Sequence, residues 1–347
     1  MRKAKMTKRV TVKDVAKQAG LSATTVDRAL NGRFKVRPET LRRIAEAAQA
    51  VGFHGQRLVE ERLREDLPVC KLGFLLLDGA HFSFNRGLGA RIEHEVRSLT
   101  DARGQAVVRY VPWADAGAIA KRLLELGESV QAIAAICIDH PLVTSAVATL
   151  KTQGVPVFSL LSDFAAGVRE GYVGLNNRKA GRAGGWFVAR MATRPGKVSV
   201  MVGSNRFHGH EMREIGFRSL LRERAPHLEV IDTVVNPGSE AAAYDATKAL
   251  LARYPDLVAI NVAGFGPEGV IEAVRESSKA REIILICNEA TAESTEALAE
   301  EVVTLVIDTP LDPMCRDVVT LMRESLQSSG GQGQHFIQFN LLTPESL

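Results

Sequence analysis

Residues 11–31, TVKDVAKQAGLSATTVDRALN, predict two short helices joined by a tight turn. Thr11 can cap the first helix with Asp14 at its third position, an acidic form of the capping box. Gly20 ends that helix, and Ser22 can cap the second. Apolar residues recur at helical spacing on one face of each helix, at Val12, Val15, Ala16, Ala19, Val26, Ala29 and Leu30. Complementary apolar faces and a turn of this length are typical of a helix-turn-helix.

A third helix is predicted to begin at Pro38, a residue that suits the first helical position. Its apolar residues continue at helical spacing to Val51, after which Gly52 can end the helix and Phe53 can fold back on it. Three short helices give an all-α headpiece of roughly 50 residues, which is small for independent stability. We therefore expect this unit to depend on a partner surface, on DNA or on dimerisation.

Positive charge is concentrated at the N-terminus. Residues 1–57 contain 14 Lys or Arg and 4 Asp or Glu, a net charge of +10. The whole chain carries +4, so residues 58–347 sum to −6. This asymmetry predicts an anionic partner for the N-terminal part alone; the alternative is a solvated basic tail. Because the charges are interleaved with a patterned apolar core, we favour nucleic acid, bound with a steep salt dependence.

Residues 10–53, VTVKDVAKQAGLSATTVDRALNGRFKVRPETLRRIAEAAQAVGF, closely resemble the headpiece of the lac-repressor (LacI/GalR) family. The matched motifs are VTVKDVAKQAG, LSATTVDRALNG, V-x-P-x-T and A-x-x-x-GF. The rest of the chain is similar to that family's core, which is like a periplasmic sugar-binding protein. The resemblance implies a helix-turn-helix DNA-binding headpiece at 1–56, a hinge at 57–67, and an effector-binding and dimerisation core at 68–347.

The resemblance also implies how the headpiece contacts double-stranded DNA. Ala23, Thr24 and Arg28 would face base edges in the major groove, where a guanidinium can pair bidentately with guanine. A second set would contact or orient on phosphates: Thr11, Ser22, Thr25, Asn31 and Arg37. Asp27 departs from the family's pattern, and its carboxylate would lie near phosphates or read cytosine. In the hinge, where the family inserts a leucine into the minor groove, Leu63 is the candidate, although four acidic residues surround it.

From about residue 68 onward, apolar runs of strand length alternate with amphipathic helical patterns. The runs are 69–78, 105–111, 131–139, 155–161, 197–203, 229–235, 256–263, 281–288 and 302–308. Continuous apolar strands with helices between them predict an α/β core with parallel sheets covered on both faces. About 280 residues would ordinarily form two lobes.

Crossings between the lobes are predicted at 172–181 and, from the resemblance, near Asp308 and beyond residue 330. The first lobe would then span about 68–175 plus 309–330, and the second about 176–306 plus 331–347. A ligand in such a fold binds between the lobes, at the carboxyl ends of the strands.

Polar residues at or just after the strand ends are therefore candidate ligands of an effector: Asp78, Asp139, Ser162, Asp163, His208, His210, Glu289 and Asp308. For Asp139 and Asp163 the alternative is a structural role, because an aspartate after a strand often caps the next helix. Phe82 and Phe84 lie in the loop after the first strand, where the resemblance implies stacking on a sugar ring.

Residues 203–217, GSNRFHGHEMREIGF, resemble the ligand-contacting loop in the second lobe of the family. The matching positions are His208, His210, Glu211 and Arg213, while Glu289 and Asp308 stand where relatives carry Asp and Gln. Carboxylates that accept from hydroxyls suit a sugar or a polyol. A sugar acid is also considered, although a charged effector would need compensation.

Residues 264–269, GFGPEG, satisfy G-x-G-x-x-G after a strand, and Glu289 follows Gly269 by 20 residues, as in a dinucleotide site. The alternative is therefore an NAD-binding, oxidoreductase-like core fused to a DNA-binding head. The late position of the motif favours instead a Gly-rich turn near the ligand. The pair His208-x-His210 lacks a third metal ligand, and neither G-x-S-x-G nor a Walker loop is present. We therefore predict no enzyme, no cofactor and no metal.

The four cysteines are scattered through apolar or helical segments and are expected to be reduced, buried thiols: Cys70, Cys137, Cys287 and Cys315. The basic N-terminus lacks the apolar region of a signal peptide, and no 18-residue apolar stretch could span a membrane. These features predict a cytoplasmic protein. Together with them, the headpiece, the two-lobed core and the resemblance to the lac-repressor family imply a homodimeric transcriptional regulator, a repressor whose operator affinity is changed allosterically by a small effector.

Overall fold

The computed structural model describes residues 10–31, 36–55, 67–78, 82–236, 239–327, 331 and 333–347. The chain divides into two compact units, a smaller one formed mainly by the N-terminal helices and a larger one that contains most of the α/β core. The predicted fold class, an all-α headpiece followed by a two-lobed α/β core, is confirmed. None of the helices in the described ranges is long and apolar enough to cross a membrane.

The headpiece consists of three helices: α1 (Val12–Ala19), α2 (Ala23–Asn31) and α3 (Pro38–Val51). Their apolar faces meet in one buried cluster of Val15, Ala16, Ala19, Val26, Ala29, Leu41, Ile44, Ala47, Ala48 and Phe53. The chain folds back after α3 because Gly52 adopts a left-handed conformation, which brings Phe53 into this cluster. Arg43 of α3 also donates a hydrogen bond to the Ala19 carbonyl at the end of α1, at 2.8 Å.

The first sheet of the core has six described strands in the order β12-β5-β4-β3-β1-β2. They are β1 (Val69–Asp78), β2 (Arg103–Pro112), β3 (Ala132–Ala135), β4 (Val157–Leu160), β5 (Gly171–Leu175) and β12 (Gly333–Ile337). From β1 to β12 the neighbours pair in parallel, for example with Leu72 opposite Ala132. The central strands β3, β4 and β5 are buried throughout, as expected when helices cover both faces.

The second sheet has seven described strands, in the order β13-β11-β10-β9-β6-β7 with β8 also on β6. They are β6 (Gly196–Val202), β7 (Leu228–Val230), β8 (Val234–Val235), β9 (Leu257–Val262), β10 (Ile284–Asn288), β11 (Leu305–Asp308) and β13 (Asn340–Leu342). All pair in parallel except β13, which is antiparallel to β11.

Helices connect the parallel strands. The helices are α4 (Phe82–Arg97), α5 (Ala116–Gly127), α6 (Pro141–Thr152), α7 (Asn177–Met191), α8 (His208–Arg224), α9 (Glu240–Arg253), α10 (Pro267–Arg275), α11 (Ala292–Ala299) and α12 (Leu311–Ser325), followed by a short 3₁₀ turn at Pro344–Ser346. Their starts are set by side chains such as Asp115, which accepts a hydrogen bond from the Ala118 amide at 2.9 Å. The two sheets with their helices form the first and the second lobe.

The chain passes between the sheets at three places: between β5 and α7, between β11 and α12, and between β12 and β13. Helix α12 returns to the first lobe, where it packs against α4 and β3. We predicted that residues 331–347 belong to the second lobe. Residues 333–337 instead form β12, which pairs with β5 of the first sheet, and only the strand 340–342 joins the second sheet.

Helices α7 and α8 of the second lobe pack through glycines. A side chain at Gly181 would overlap the backbone of Arg213, and a side chain at Gly216 would overlap the backbone of Arg178. The two helix backbones therefore touch directly, which fixes the position of Arg213 relative to the first crossing between the lobes.

The four cysteines are all buried, as predicted.

Candidate functional site

The start of α2 is shaped by local hydrogen bonds. The Ser22 hydroxyl accepts from the Thr25 amide at 3.1 Å and pairs with the Thr25 hydroxyl at 2.8 Å, so Ser22 caps the helix as predicted. Before α1, the Asp14 carboxylate accepts from both the amide and the hydroxyl of Thr11, at 2.8 and 2.7 Å. These local caps define the starts of α1 and α2.

The outward face of α2 presents the residues that the resemblance assigned to base edges. Thr24, Asp27 and Arg28 are exposed and Ala23 is half-buried, while Val26 and Ala29 turn into the core. Such a face can enter a major groove.

The structure also pairs Asp27 with Asn31, whose side-chain amide donates to the carboxylate at 2.9 Å. Asp27 therefore orients Asn31, an alternative to the contacts with phosphate or cytosine considered above. Arg37 precedes α3 without a side-chain capping bond, and it is exposed. Leu63 lies outside the described residues.

A cavity lies between the two lobes of the core and encloses about 80 Å³. The first lobe contributes Leu77, Phe84, Asn85, Ile136, Leu161 and Ser162, and the second contributes Phe207, Gly209, His210, Arg213, Gly264, Phe265, Pro267, Asn288, Glu289 and Thr291. A cavity of this volume holds several water molecules, and the polar groups of a small ligand can take their place. The cavity has the expected location, at the carboxyl ends of parallel strands.

Aromatic rings form one wall of this cavity. Phe207 and Phe265 meet edge to face with centroids 5.1 Å apart, and the His210 ring lies 5.0 and 5.1 Å from them. Trp113, in the first lobe after β2, lies 6.0 Å from Phe207 and 5.7 Å from Phe265. We call Trp113, Phe207, His210 and Phe265 the aromatic cluster. Because it joins side chains from both lobes, it holds them together at the cavity.

Two further hydrogen bonds join the lobes beside the cavity. The Gly209 amide at the start of α8 donates to the Ser162 hydroxyl at 3.0 Å. The Asp139 amide donates to the Arg206 carbonyl at 2.9 Å. The segment that leads into α8 thus contacts the first lobe through backbone atoms as well as through the ring of Phe207.

Arg213 and Glu289 form an ion pair in the cavity wall, with 3.0 Å between Nη2 and Oε1 and with only 7% and 17% of their side chains exposed. Arg213 also donates from Nε to Asn177 Oδ1 at 2.7 Å and from Nη1 to the Ala263 carbonyl at 3.3 Å. The other carboxylate oxygen of Glu289 accepts from the Thr309 amide at 3.2 Å. Each charge is therefore neutralised and hydrogen-bonded before any ligand binds.

Asn288, the last residue of β10, is part of the cavity lining. Its side-chain NH₂ donates to the Val262 carbonyl at 2.7 Å, and only 4% of the residue is exposed. Its Oδ1 is buried and has no hydrogen-bond partner among the described residues. A buried acceptor of this kind costs free energy until a donor reaches it.

Two lining residues have left-handed backbones although neither is a glycine. Leu161 has φ 59° and Glu289 has φ 71°. Such conformations cost about 1–3 kcal/mol each and accumulate at functional sites. Here they turn the chain sharply after β4 and β10, which aims both residues at the cavity.

The structure brings five of the predicted effector-binding residues together in the cavity lining: Phe84, Ser162, His210, Arg213 and Glu289. Their contact with an effector stays a prediction. The side chain of Phe82 lies outside the described part of the chain. The other candidates do not line the cavity: Asp78, Asp139, Asp163, His208, Glu211 and Asp308.

Asp163 is held in a separate buried network. Its carboxylate accepts from two nitrogens of Arg169, from the Ser159 hydroxyl at 2.7 Å and from the Gln334 amide at 3.3 Å. Burial alone would raise the pKa of Asp163, but the hydrogen bonds from Arg169 and Ser159 outweigh it and hold this pKa below its ordinary value. We therefore correct the prediction that Asp163 binds the effector. Asp163 has the structural role considered as the alternative, but it forms an ion pair with Arg169 rather than capping a helix.

Asp139, Asp308 and His208 also have other partners. Asp139 accepts from the Ala165 amide at 3.1 Å, and the cap of α6 is His140 instead. Asp308 accepts from the Ala290 amide at 3.2 Å and from the Asn340 side chain at 3.4 Å. Because Asp308 precedes the second crossing between the lobes and Asn340 follows the third, the second bond joins these two crossings. His208 is 44% exposed and lies 3.5 Å from Glu211. We therefore correct their assignment to the cavity wall.

The glycines of GFGPEG are explained by packing. A side chain at Gly264 would meet the His210 ring, one at Gly266 would meet Asn236, and one at Gly269 would overlap the backbone of Glu240 in α9. Helix α10 begins with Pro267, which has no amide hydrogen to offer a phosphate. The motif therefore serves the junction of α9, α10 and the cavity wall.

Sequence reasoning did not find Asn85, Asn177, Phe207, Phe265 or Asn288. Asn288 had a detectable signal, because it is an amide at the end of the apolar run ILICN and a buried amide needs partners. The aromatic cluster had no such signal, since its rings come from segments far apart in the sequence.

Two family models match this sequence. One, described as bacterial regulatory proteins, lacI family, matches residues 11–56. The other, described as a periplasmic binding protein domain, matches residues 115–330, more than half of the chain. The chain belongs to the lacI family of regulatory proteins. The predicted family and the predicted DNA-binding regulator are thereby confirmed, and neither matched model is that of an enzyme.

Solved structures similar to this lacI-family regulator share its core fold. A chain of the XylFII-LytSN complex has a TM-score of 0.71 and 16% identity, covering 81% of this chain and 100% of that chain. GanP, a glucose-galactose binding protein from Geobacillus stearothermophilus, has a TM-score of 0.71 and 15% identity, covering 80% and 99%. A solute binding protein from Actinobacillus succinogenes 130z with bound D-allose has the same TM-score and identity, covering 80% and 98%. No curated protein matches the sequence significantly.

Proposed function

We propose that this lacI-family regulator is a homodimeric repressor in the cytoplasm, whose affinity for an operator is controlled by a sugar-like effector. The observation that carries the proposal is the cavity between the lobes, where Arg213, Glu289 and the free acceptor of Asn288 lie beside aromatic rings. Hydroxyl groups can both donate to and accept from such side chains, while aromatic rings pack on the apolar face of a sugar. The similar fold of proteins named for glucose, galactose and allose supports this effector class.

The headpiece supplies the DNA contacts in this proposal. Arg28 and Thr24 on the exposed face of α2 read base edges, while Thr11, Ser22, Thr25, Asn31 and Arg37 contact or orient on phosphates. Two copies read the two halves of a near-palindromic operator. Effector binding changes the arrangement of the lobes and thereby the operator affinity, as a coupling free energy between the two sites.

Selection of duplexes from a random pool by the full-length protein, followed by anisotropy titrations, tests the DNA part. We expect Arg28→Ala to lose most of the preference for the selected duplex over a random one, about 1–3 kcal/mol. The control Lys13→Ala, an exposed charge on α1, should weaken both duplexes alike. Equal binding of all duplexes by the unmodified protein would refute a sequence-specific regulator.

The effector part is tested by repeating the operator titration with a panel of neutral sugars and polyols. A repressor that is induced releases the selected duplex when its effector is added, and a co-repressed one binds it more tightly. An operator affinity that no compound changes would refute the proposed effector class. Stoichiometric, saturable binding of NAD(H) would favour the oxidoreductase-like alternative instead.

A further inference from the structure

We propose that the cavity accepts only an electrically neutral, hydroxyl-bearing effector, and that the Arg213–Glu289 ion pair excludes sugar acids, sugar phosphates and amino sugars. This inference rests on the proposed function, because it assigns a charge class to the effector of the same cavity. The sequence left open a sugar, a polyol or a sugar acid as the effector, and this inference retains only the uncharged sugar and polyol.

The charges of the described lining residues cancel. Arg213 carries the positive charge and Glu289 the negative one, and their side chains lie in direct contact. His210 is the other titratable lining residue, and it is packed among the rings of the aromatic cluster. The Arg213–Glu289 pair therefore adds no net charge to the cavity that could attract a charged ligand.

An anionic ligand meets a guanidinium whose positive charge is already paired with Glu289. Arg213 already uses Nε, Nη1 and Nη2 for the Asn177 oxygen, the Ala263 carbonyl and Glu289. A carboxylate or phosphate would have to displace Glu289 or lie beside it, and two anions in a largely dry wall repel each other. The ion pair therefore acts against anions even though an arginine is present.

A cationic ligand is excluded by the converse argument. Glu289 faces the guanidinium through Oε1 and accepts from the Thr309 amide through Oε2, so both oxygens are engaged. An ammonium group that reached Glu289 would lie close to the positive charge of Arg213. The rings of Phe207 and Phe265 in the cavity wall therefore pack against C–H groups of a neutral ligand rather than against an ammonium group.

The polar groups that remain match hydroxyls. Asn288 lines the cavity, and its Oδ1 is a buried acceptor without a partner among the described residues, so a ligand donor that reaches it satisfies this oxygen. Arg213 has five N–H groups, of which three are in use, so it can also donate to a ligand oxygen. A hydroxyl-rich neutral molecule meets both requirements without disturbing the ion pair.

The test is a matched ligand series measured by calorimetry on the full-length protein. The neutral sugars and polyols D-glucose, D-galactose, D-allose, D-arabinose and ribitol are titrated first. For the best binder, the corresponding uronic or aldonic acid, phosphate ester and amino sugar follow. We expect the neutral compound to bind at least about 100-fold more tightly than each charged derivative, since like charges placed together cost several kcal/mol.

Two variants with opposite changes of charge give the second arm. Glu289→Gln keeps the shape but leaves Arg213 uncompensated, and it should shift the preference toward the acid by at least about 10-fold. Asn288→Asp adds a negative charge at the free acceptor and should shift the preference toward the amino sugar. Glu296→Gln, an exposed charge on α11 of the same lobe, is the matched control and should leave all preferences unchanged. Thermal melts establish that each variant is folded.

The outcomes separate this inference from the proposed function. If an acid, phosphate or amino sugar binds the unmodified protein more tightly than its neutral counterpart and changes operator affinity, the neutral class is wrong and the regulator stands. If no compound of any class binds, both fail. If folded Glu289→Gln and Asn288→Asp proteins keep the original preferences, the ion pair does not set the charge class and the inference is overturned.

Discussion

Asn177 and Arg213 are joined by a hydrogen bond of 2.7 Å from the guanidinium Nε to the amide Oδ1. Asn177 is the first residue of α7, directly after the first crossing between the lobes. Its NH₂ group donates to the Leu161 carbonyl at 3.0 Å and to the Tyr172 hydroxyl at 3.1 Å, both in the first lobe. A ligand that moves Arg213 therefore acts directly on the first crossing between the lobes, the segment about which the proposed reorientation of the lobes would occur.

Asn177→Leu should reduce the effect of the effector on operator affinity more than it reduces effector binding itself. The leucine removes the link between Arg213 and Leu161, and the unsatisfied partners should cost about 1–3 kcal/mol of stability. Calorimetry gives the effector affinity, and anisotropy gives operator affinity with and without effector. Asn176→Asp is the control, because an aspartate can still cap α7 through the Lys179 amide. A ratio of operator affinities equal to that of the unmodified protein would mean that Asn177 has only a structural role.

Trp113 should report the arrangement of the lobes through its fluorescence. The chain has two tryptophans, and Trp186 is 46% exposed on α7. In Trp186→Phe the remaining indole contacts the rings of Phe207 and Phe265, so a change in the lobe arrangement should shift its emission. The converse variant, Trp113→Phe, should show no effector-dependent shift. If both variants respond equally, the aromatic cluster does not follow the movement.

The Asp163–Arg169 pair should stabilise the first lobe except in acid. Because the folded-state pKa of Asp163 is lowered, its contribution is complete above the unfolded pKa and is lost as the pH falls through the folded one. Arg169→Met should cost about 3–5 kcal/mol near neutral pH, because it leaves a buried carboxylate unpaired. Urea unfolding at about pH 7 and about pH 3 should show this loss shrinking in acid.

The exposed pair Arg275–Glu300 is the matched control for that experiment. Its side chains are 43% and 45% exposed, so Arg275→Met should cost less than about 1 kcal/mol at either pH. An equal cost for the two arginine variants near neutral pH would contradict the role assigned to the buried pair.

Glu268 should make the second lobe less stable as the pH rises. Burial, together with the nearby carboxylates of Glu293 and Glu240, raises the pKa of Glu268 from 4.5 to about 7. The folded state then binds more protons than the unfolded state between these values, so stability falls as the pH rises through this window.

Replacing Glu268 by Gln should remove that penalty. Glu268→Gln should leave stability unchanged near pH 4 and raise it by up to about 3 kcal/mol near pH 8.5, measured by urea unfolding. Glu272→Gln, an exposed position on the same helix, should change little at either pH. A uniform gain for Glu268→Gln across the whole pH range would show that its effect is not a titration.

The headpiece was predictable because its determinants are local. The Thr11–Asp14 and Ser22–Thr25 contacts span three residues each, so sequence spacing alone indicates them. The apolar face of each helix is likewise set by helical periodicity. The core fold was predictable for a similar reason, since buried strands alternate with amphipathic helices.

The cavity was predictable only in part, because strand-end aspartates and glutamates look alike in sequence. Glu289 and Asp163 each follow a buried strand, but Glu289 meets Arg213 at the cavity while Asp163 meets Arg169 away from it. The partner of each depends on how distant segments come together. The sheet of β12 was missed for the same reason: nothing in the run GQHFI indicates which of two edges it joins.

The glycine contact between α7 and α8 restricts how this protein can change its effector. Any larger residue at Gly181 or Gly216 would force the helices apart and carry Arg213 away from the wall. New recognition must therefore arise by exchange of side chains such as Phe84 and Pro267 at the starts of helices, or Asn288 at a strand end. Evolution and protein engineering alike can redesign the ligand preference there, while the helix pair that holds Arg213 stays as it is.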